Sequence, residues 1–144
     1  MRVLVQRSGA SEVSVHDKVT GKISNGLVLL VGFTEGDTLQ EIEYLAKKVV
    51  NLRIFPDENG VMNKSLLEVG GSILSISQFT LYADTKKGNR PSYVNAMNGE
   101  KAIKLYEQFN DELRKYVPVE TGIFGEHMLV SITNIGPVTI LLER

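Results

Sequence analysis

The 144-residue chain carries 42% apolar and 23% charged residues, the size and balance of one soluble domain, expected to run over residues 1–144. It has no cysteine and two histidines, which excludes a thiol nucleophile, a disulfide framework and a zinc ribbon. With 16 Lys and Arg against 17 Asp and Glu, the net charge of -1 argues against gripping long stretches of nucleic acid by phosphate neutralisation alone, and leaves room for a local basic patch.

Gln6-Arg7 ends the N-terminal apolar run before it can serve as a signal-peptide core. The longest apolar stretch, Gly26 to Phe33, falls far short of the about 20 residues needed to cross a bilayer, so a cytoplasmic protein is expected. Val3 and Val5, then Val13 and Val15, alternate with their neighbours at a period of two, which predicts successive half-buried strands. Thr20-Gly21-Lys22 and Ser24-Asn25-Gly26 read as turns, and Leu27 to Val31 as a strand buried on both faces.

Asp37 precedes Leu39, Ile42, Leu45, Ala46, Val49 and Leu52, whose spacing predicts one apolar helical face with Asp37 as the cap and Gln40 three residues on. Pro56 to Gly60 reads as a turn. Ser72 to Phe79 alternates again, with Ile73, Ser75, Ser77 and Phe79 on one side and Leu74, Ile76 and Gln78 on the other. Lys86 to Pro91 forms a basic loop, after which Ser92 is expected to cap a short helix and Asn98 a longer one. That longer helix carries Ala102, Leu105, Tyr106, Phe109, Leu113 and Tyr116, and Pro118 ends it. Met128, Val130 and Ile132 alternate, a break follows at Asn134-Ile135-Gly136-Pro137, and Val138 to Leu142 resumes the strand. Strands in consecutive groups with helices between them predict an α+β domain, with a mixed or antiparallel sheet or a barrel-like β core and two main helices.

Chemistry is thinly signalled. His16 and His127 are isolated from acidic clusters and read as surface residues, so a Ser or Thr triad lacks its base. The scattered carboxylates read as solvated helix faces and suggest no metal site. Ser77-Gln78-Phe79-Thr80-Leu81-Tyr82 closes a strand with hydroxyls and an amide beside the basic loop, which places polar donors at a strand end near positive charge.

Taken together, five segments resemble the D-aminoacyl-tRNA deacylase family. They are Gln6-Arg7, Ser77 to Tyr82, Lys87-Gly88-Asn89-Arg90-Pro91-Ser92-Tyr93, Thr121-Gly122-Ile123-Phe124-Gly125 and Asn134-Ile135-Gly136-Pro137-Val138-Thr139, in the family's order and spacing. The resemblance implies hydrolysis of the ester of D-aminoacyl-tRNA by a homodimer that needs no cofactor or metal. It implies that a cis Gly136-Pro137 segment, held by Arg7, enters the partner's site and excludes L-amino acids, while glycine is admitted. It implies that Ser77, Gln78, Phe79 and Thr80 line the place of the ester carbonyl, with main-chain N–H groups of Phe79 and Thr80 facing the developing oxyanion. Thr80 is the candidate side-chain nucleophile, ranked below water assisted by the terminal ribose 2′-OH. Phe124 and Met128 are expected at the adenosine, and Lys86, Lys87 and Arg90 at the phosphates of the acceptor stem. No DNA or membrane partner is expected. Ile135 stands where the family more often has Asp, and Ser11-Glu12 where it has Ala-Ser. The competing reading is a non-catalytic RNA- or protein-binding module with the same fold.

Overall fold

The computed structural model describes residues 1–144. Strands β1 (Arg2–Ser8), β2 (Ser11–Val15), β3 (Lys18–Ile23) and β4 (Gly26–Gly32) occupy the first quarter of the chain. Helix α1 (Leu39–Asn51), strands β5 (Phe55–Pro56) and β6 (Met62–Lys64), and the short helix α2 (Leu66–Val69) lead to β7 (Ser72–Ser77). A 3₁₀ turn (Phe79–Tyr82) follows, then helix α3 (Gly99–Arg114), β8 (Val119–Thr121), β9 (Leu129–Ser131) and β10 (Asn134–Glu143).

The main sheet has the order β10-β1-β4-β7-β8, antiparallel on the β10 side and parallel at β4-β7 and β7-β8. A second sheet, β3-β2-β9, is fully antiparallel, and β5 and β6 form a separate ribbon. Edges remain at β10 and β8, so the mixed-sheet alternative holds and no closed barrel forms.

Alternation decides which face each strand buries. Val3, Val5, Leu27, Leu29, Val31 and Ile73 point to one side of the main sheet, where Ile42, Leu45, Val49, Phe109 and Leu113 of α1 and α3 cover them. Val28, Leu74 and Ile76 point to the other side and meet Val13 and Ile23 of the smaller sheet. The molecule is thus helices on sheet on sheet, and β4 is buried on both faces as its unbroken apolar run predicts. No helix is long and apolar enough to cross a membrane.

Several local expectations change for identifiable reasons. The β2-β3 hairpin turns at His16 and Asp17, with φ of 49° and 61°, the pair of positive values that a two-residue hairpin requires. Thr20-Gly21-Lys22 instead lies within β3, where a Cβ on Gly21 would stand 2.7 Å from the Thr121 carbonyl oxygen. Glycine there permits close approach. Asp37 does not cap α1, because its carboxylate accepts from the Met1 amino group at 2.6 Å and the Thr34 N–H at 2.7 Å. Thr38 caps the helix in a reciprocal box with Glu41. Leu39 is therefore exposed, Leu52 is the C-cap, and Val50 joins the buried face.

Ser92 caps nothing; it pairs with Asp84 in an isolated bridge that closes the basic loop. Asn98 caps α3 as expected, and that helix stops at Arg114, ahead of Pro118. The expected break at Asn134 to Pro137 lies inside the continuous strand β10. There, Arg7 alone faces residues 135–138, and the Asn134 amide bridges the gap by donating to the Arg7 and Val138 carbonyls.

Two phenols are held neutral by the packing. Burial raises the pKa of Tyr106, whose hydroxyl donates to the Ser75 carbonyl at 2.7 Å. Burial and then the nearby Asp37 carboxylate push Tyr82 up to about 12, against the pull of Arg2. Unfolded tyrosines ionise near 10.0, so the folded state holds more protons above that pH. Stability is therefore full below pH 10 and declines as pH rises toward about 12. Denaturant midpoints measured across this range should fall together with the rise of tyrosinate absorbance; a flat midpoint would contradict the assignment.

Candidate active site

The carboxyl ends of the parallel strands β4, β7 and β8 meet the start of α3, the position where open sheets with parallel strands commonly bind ligands. A cavity of about 600 Å³ lies there. Val31, Gly32 and Phe33 from the end of β4, and Ile76 to Phe79 from the end of β7, form one wall. Phe124 to Met128 and Val130 form a second, and Tyr93, Ala96, Met97, Gly99 and Ala102 complete it.

The turn after β7 gives the cavity its polar character. The last sheet-like hydrogen bond runs from Gln78 N–H to the Val31 carbonyl at 2.7 Å, after which the chain winds into the 3₁₀ turn. The first N–H groups of such a turn have no acceptor within it, and Gln78 provides no side-chain cap. Phe79 and Thr80 are the residues whose N–H groups such a turn leaves without an acceptor inside it. The Gln78 amide donates to Thr80 Oγ1 at 2.5 Å, so that hydroxyl meets a donor rather than a base.

Two supports fix the turn. Arg2 donates from Nη1 to the Leu81 carbonyl at 2.7 Å and lies 4.5 Å over the Tyr82 ring. Gly32 runs so close beneath that an added Cβ would stand 2.9 Å from the Gln78 carbonyl oxygen and 3.3 Å from Leu81 Cβ.

Of the residues singled out in the sequence, Ser77, Gln78, Phe79, Phe124 and Met128 line this cavity, and Thr80 sits beside it on the turn. Lys86, Lys87 and Arg90 lie on the exposed loop between the paired Asp84 and Ser92. Gly136, Pro137 and Arg7 lie elsewhere. Gly136 sits near the level of Leu27, whereas Ser77 pairs with Val31, four residues and about 13 Å along the sheet; three strand spacings add about 14 Å across it. The Gly136-Pro137 bond is cis, and both residues are exposed. Arg7 anchors their segment by donating from Nε to the Ile135 carbonyl at 3.3 Å and from Nη1 to the Ile54 carbonyl at 2.6 Å.

The sequence reading missed Met97, Glu126 and His127 as wall residues, and it quoted Tyr93 without giving it a place in the site. His127 is exposed, as the sequence reading expects, and it also borders the cavity, where its only sequence signal was proximity to Phe124 and Met128. No group of three or more His, Cys, Asp or Glu side chains is placed to share a metal ion.

The profile of the family described as D-Tyr-tRNA(Tyr) deacylase matches residues 4–143. A D-aminoacyl-tRNA deacylase of Clostridium acetobutylicum is 54% identical over 99% of this chain and 97% of its own length. Among solved structures, a chain described as c-Myc DNA Unwinding Element Binding Protein superposes with a TM-score of 0.95 at 40% identity, covering 100% of this chain and 99% of that one. A probable eukaryotic D-amino acid tRNA deacylase shares the fold with a TM-score of 0.84 at 18% identity, over 98% of this chain and 97% of that one.

The contact between Gly32 and Gln78 makes the turn sensitive to a single methyl group. Gly32→Ala should speed amide hydrogen exchange at residues 78–82 while the β1 and β4 amides stay protected; unchanged exchange in the turn would contradict its dependence on Gly32.

Proposed function

The chain belongs to the D-Tyr-tRNA(Tyr) deacylase family, and from that membership we propose that it hydrolyses the ester bond of D-aminoacyl-tRNA to free D-amino acid and tRNA. The observation that supports this reading is the cavity at the end of β7, bordered by the start of the 3₁₀ turn that carries the Phe79 and Thr80 N–H groups.

An aminoacyl ester is activated already, so orientation and charge stabilisation supply much of what hydrolysis needs. In this reading the ester carbonyl oxygen sits at the Phe79 and Thr80 N–H groups. Water attacks the carbonyl carbon, the bond to the ribose oxygen breaks, and that oxygen takes up a proton. The neighbouring ribose 2′-OH assists the attacking water. Thr80 is a poor nucleophile here, because its recorded partner is the Gln78 amide and neither His127 nor Glu126 is hydrogen-bonded to it.

Chirality is read by a second copy of the chain. In this reading Gly136 and Pro137 act in the cavity of the partner in a homodimer, and the register that keeps them away from their own cavity supports it. Their main-chain carbonyls accept from the substrate ammonium, and an L side chain would then meet backbone. Such a filter ignores side-chain identity, so it admits many D-amino acids and also glycine, as on glycyl-tRNA(Ala). Arg7 holds the segment, with Nη2 3.1 Å from where a Cβ on Gly136 would stand. Phe124 and Met128 receive the terminal adenosine, and Lys86, Lys87 and Arg90 meet acceptor-stem phosphates. A cytoplasmic proofreading role follows from that substrate.

Purified protein incubated with D-tyrosyl-tRNA and L-tyrosyl-tRNA should release only D-tyrosine faster than the uncatalysed rate. Acceleration of neither ester would favour a binding module, and equal acceleration of both would remove the chiral filter. Gly136 has φ of 121°, and a Cβ there would lie 2.8 Å from the Val138 nitrogen, so Gly136→Ala should abolish D-selective hydrolysis in a folded protein. Thr80→Ala should keep activity within about tenfold, whereas loss of a true nucleophile costs on the order of 10⁴-fold or more.

A further inference from the structure

At the mouth of the cavity two aromatic rings are left largely open to solvent. Phe79 is 56% exposed and Tyr93 is 41% exposed, and their rings meet edge to face with centroids 5.1 Å apart and planes at 70°. Both line the cavity that Phe124 and Met128 also line. Exposure of two adjacent rings carries an energetic cost that covering them would remove.

The surroundings indicate what covers them. Asp84 and Ser92 exchange main-chain hydrogen bonds of 2.8 and 2.9 Å, which fixes Tyr93 one residue beyond the closed end of the basic loop. On that loop Lys86, Lys87 and Arg90 are exposed, and none of them takes part in an ion pair. The apolar cavity, the two exposed rings at its lining and, directly before Tyr93 in the chain, a loop of unpaired positive charge thus belong to neighbouring parts of the fold. That grouping fits a single-stranded nucleic acid end, whose bases stack on aromatic side chains while its phosphates meet cations.

We propose that Phe79 and Tyr93 form a stacking platform for the base of the nucleotide that precedes the terminal adenosine of the RNA substrate. The inference rests on the deacylase reading, which places that adenosine at Phe124 and Met128. It gives Phe79 two separate tasks: its N–H faces the ester while its ring serves the RNA. Because every base has a stacking face, the platform adds affinity without reading sequence.

The test compares three small esters: D-tyrosyl-adenosine, D-tyrosyl-cytidylyl-adenosine, and the same dinucleotide with the cytosine removed. Wild-type protein should hydrolyse the cytidylyl ester with a KM about tenfold below that of the adenosine ester, the effect of one stacked base. The abasic ester should behave like the adenosine ester. Tyr93→Ala should bring the KM ratio close to one, and Tyr93→Phe should restore it, with the kcat ratio of the two esters unaltered in both. A wild-type ratio of one, an abasic ester as good as the cytidylyl one, or an undiminished ratio in Tyr93→Ala would each overturn the platform. Failure to accelerate any of the three esters would overturn the deacylase reading and the platform with it.

Discussion

The hydrogen bond from Gln78 N–H to the Val31 carbonyl, at 2.7 Å, is the point on which the molecule turns from scaffold to site. Up to that bond β7 is a parallel neighbour of β4, locked in register from Gly26-Ser72 to Val31-Ser77 and buried between helices and the smaller sheet. Beyond it the chain leaves the ladder and winds into the 3₁₀ turn. A rigid strand thus delivers a short turn to the edge of a cavity with little freedom to wander, which is how a main-chain site can be held to the accuracy that catalysis demands.

The proposed use of main-chain groups in catalysis accords with the composition. Histidine and cysteine are nearly or wholly absent from the chain, and the cavity is walled mainly by apolar side chains. Its polar lining comprises Ser77, Gln78, Glu126 and His127, and the Thr80 hydroxyl accepts from the Gln78 amide. The supports are equally indirect. Arg2 holds the turn through the Leu81 carbonyl, Arg7 holds the Gly-Pro segment through the Ile135 carbonyl, and Gly32 acts by having no side chain. With a net charge of -1, the proposed RNA contact falls to a local basic loop rather than a charged face, and it would involve few phosphates.

Much of the fold was legible because burial imposes periodicity. The alternation of Val3 and Val5, the unbroken run of β4 and the three-and-four spacing in α1 and α3 each follow from which face meets the core. Local competition was not legible. Asp37 has the chemistry of a cap, but the Met1 amino group and Thr34 occupy it, and that contact joins residues far apart in sequence. Glycine at position 21 reads as a turn until the approach of Thr121 is known, and Gly136-Pro137 reads as a break until the Asn134 amide is seen to span it. In the site, Ser77 to Phe79 stood out as a strand end rich in polar side chains, whereas Phe124 and Met128 were found through family motifs rather than through pattern. Met97 was missed because a buried methionine reads as core, and His127 because its only signal was its closeness to Phe124 and Met128.

In the proposed dimer each catalytic site needs the cavity of one subunit and the Gly136-Pro137 segment of the other, and mixing two impaired variants puts this to the test. Gly32→Ala displaces the turn, and Gly136→Ala deforms the segment; only a mixed dimer contains one site with both halves intact. After exchange of subunits, the mixture should recover D-tyrosyl-tRNA hydrolysis to about a quarter of the wild-type rate, because half the dimers are mixed and each has one sound site. Recovery no greater than the sum of the two variants alone, with mixed dimers demonstrably present, would contradict a site shared between subunits.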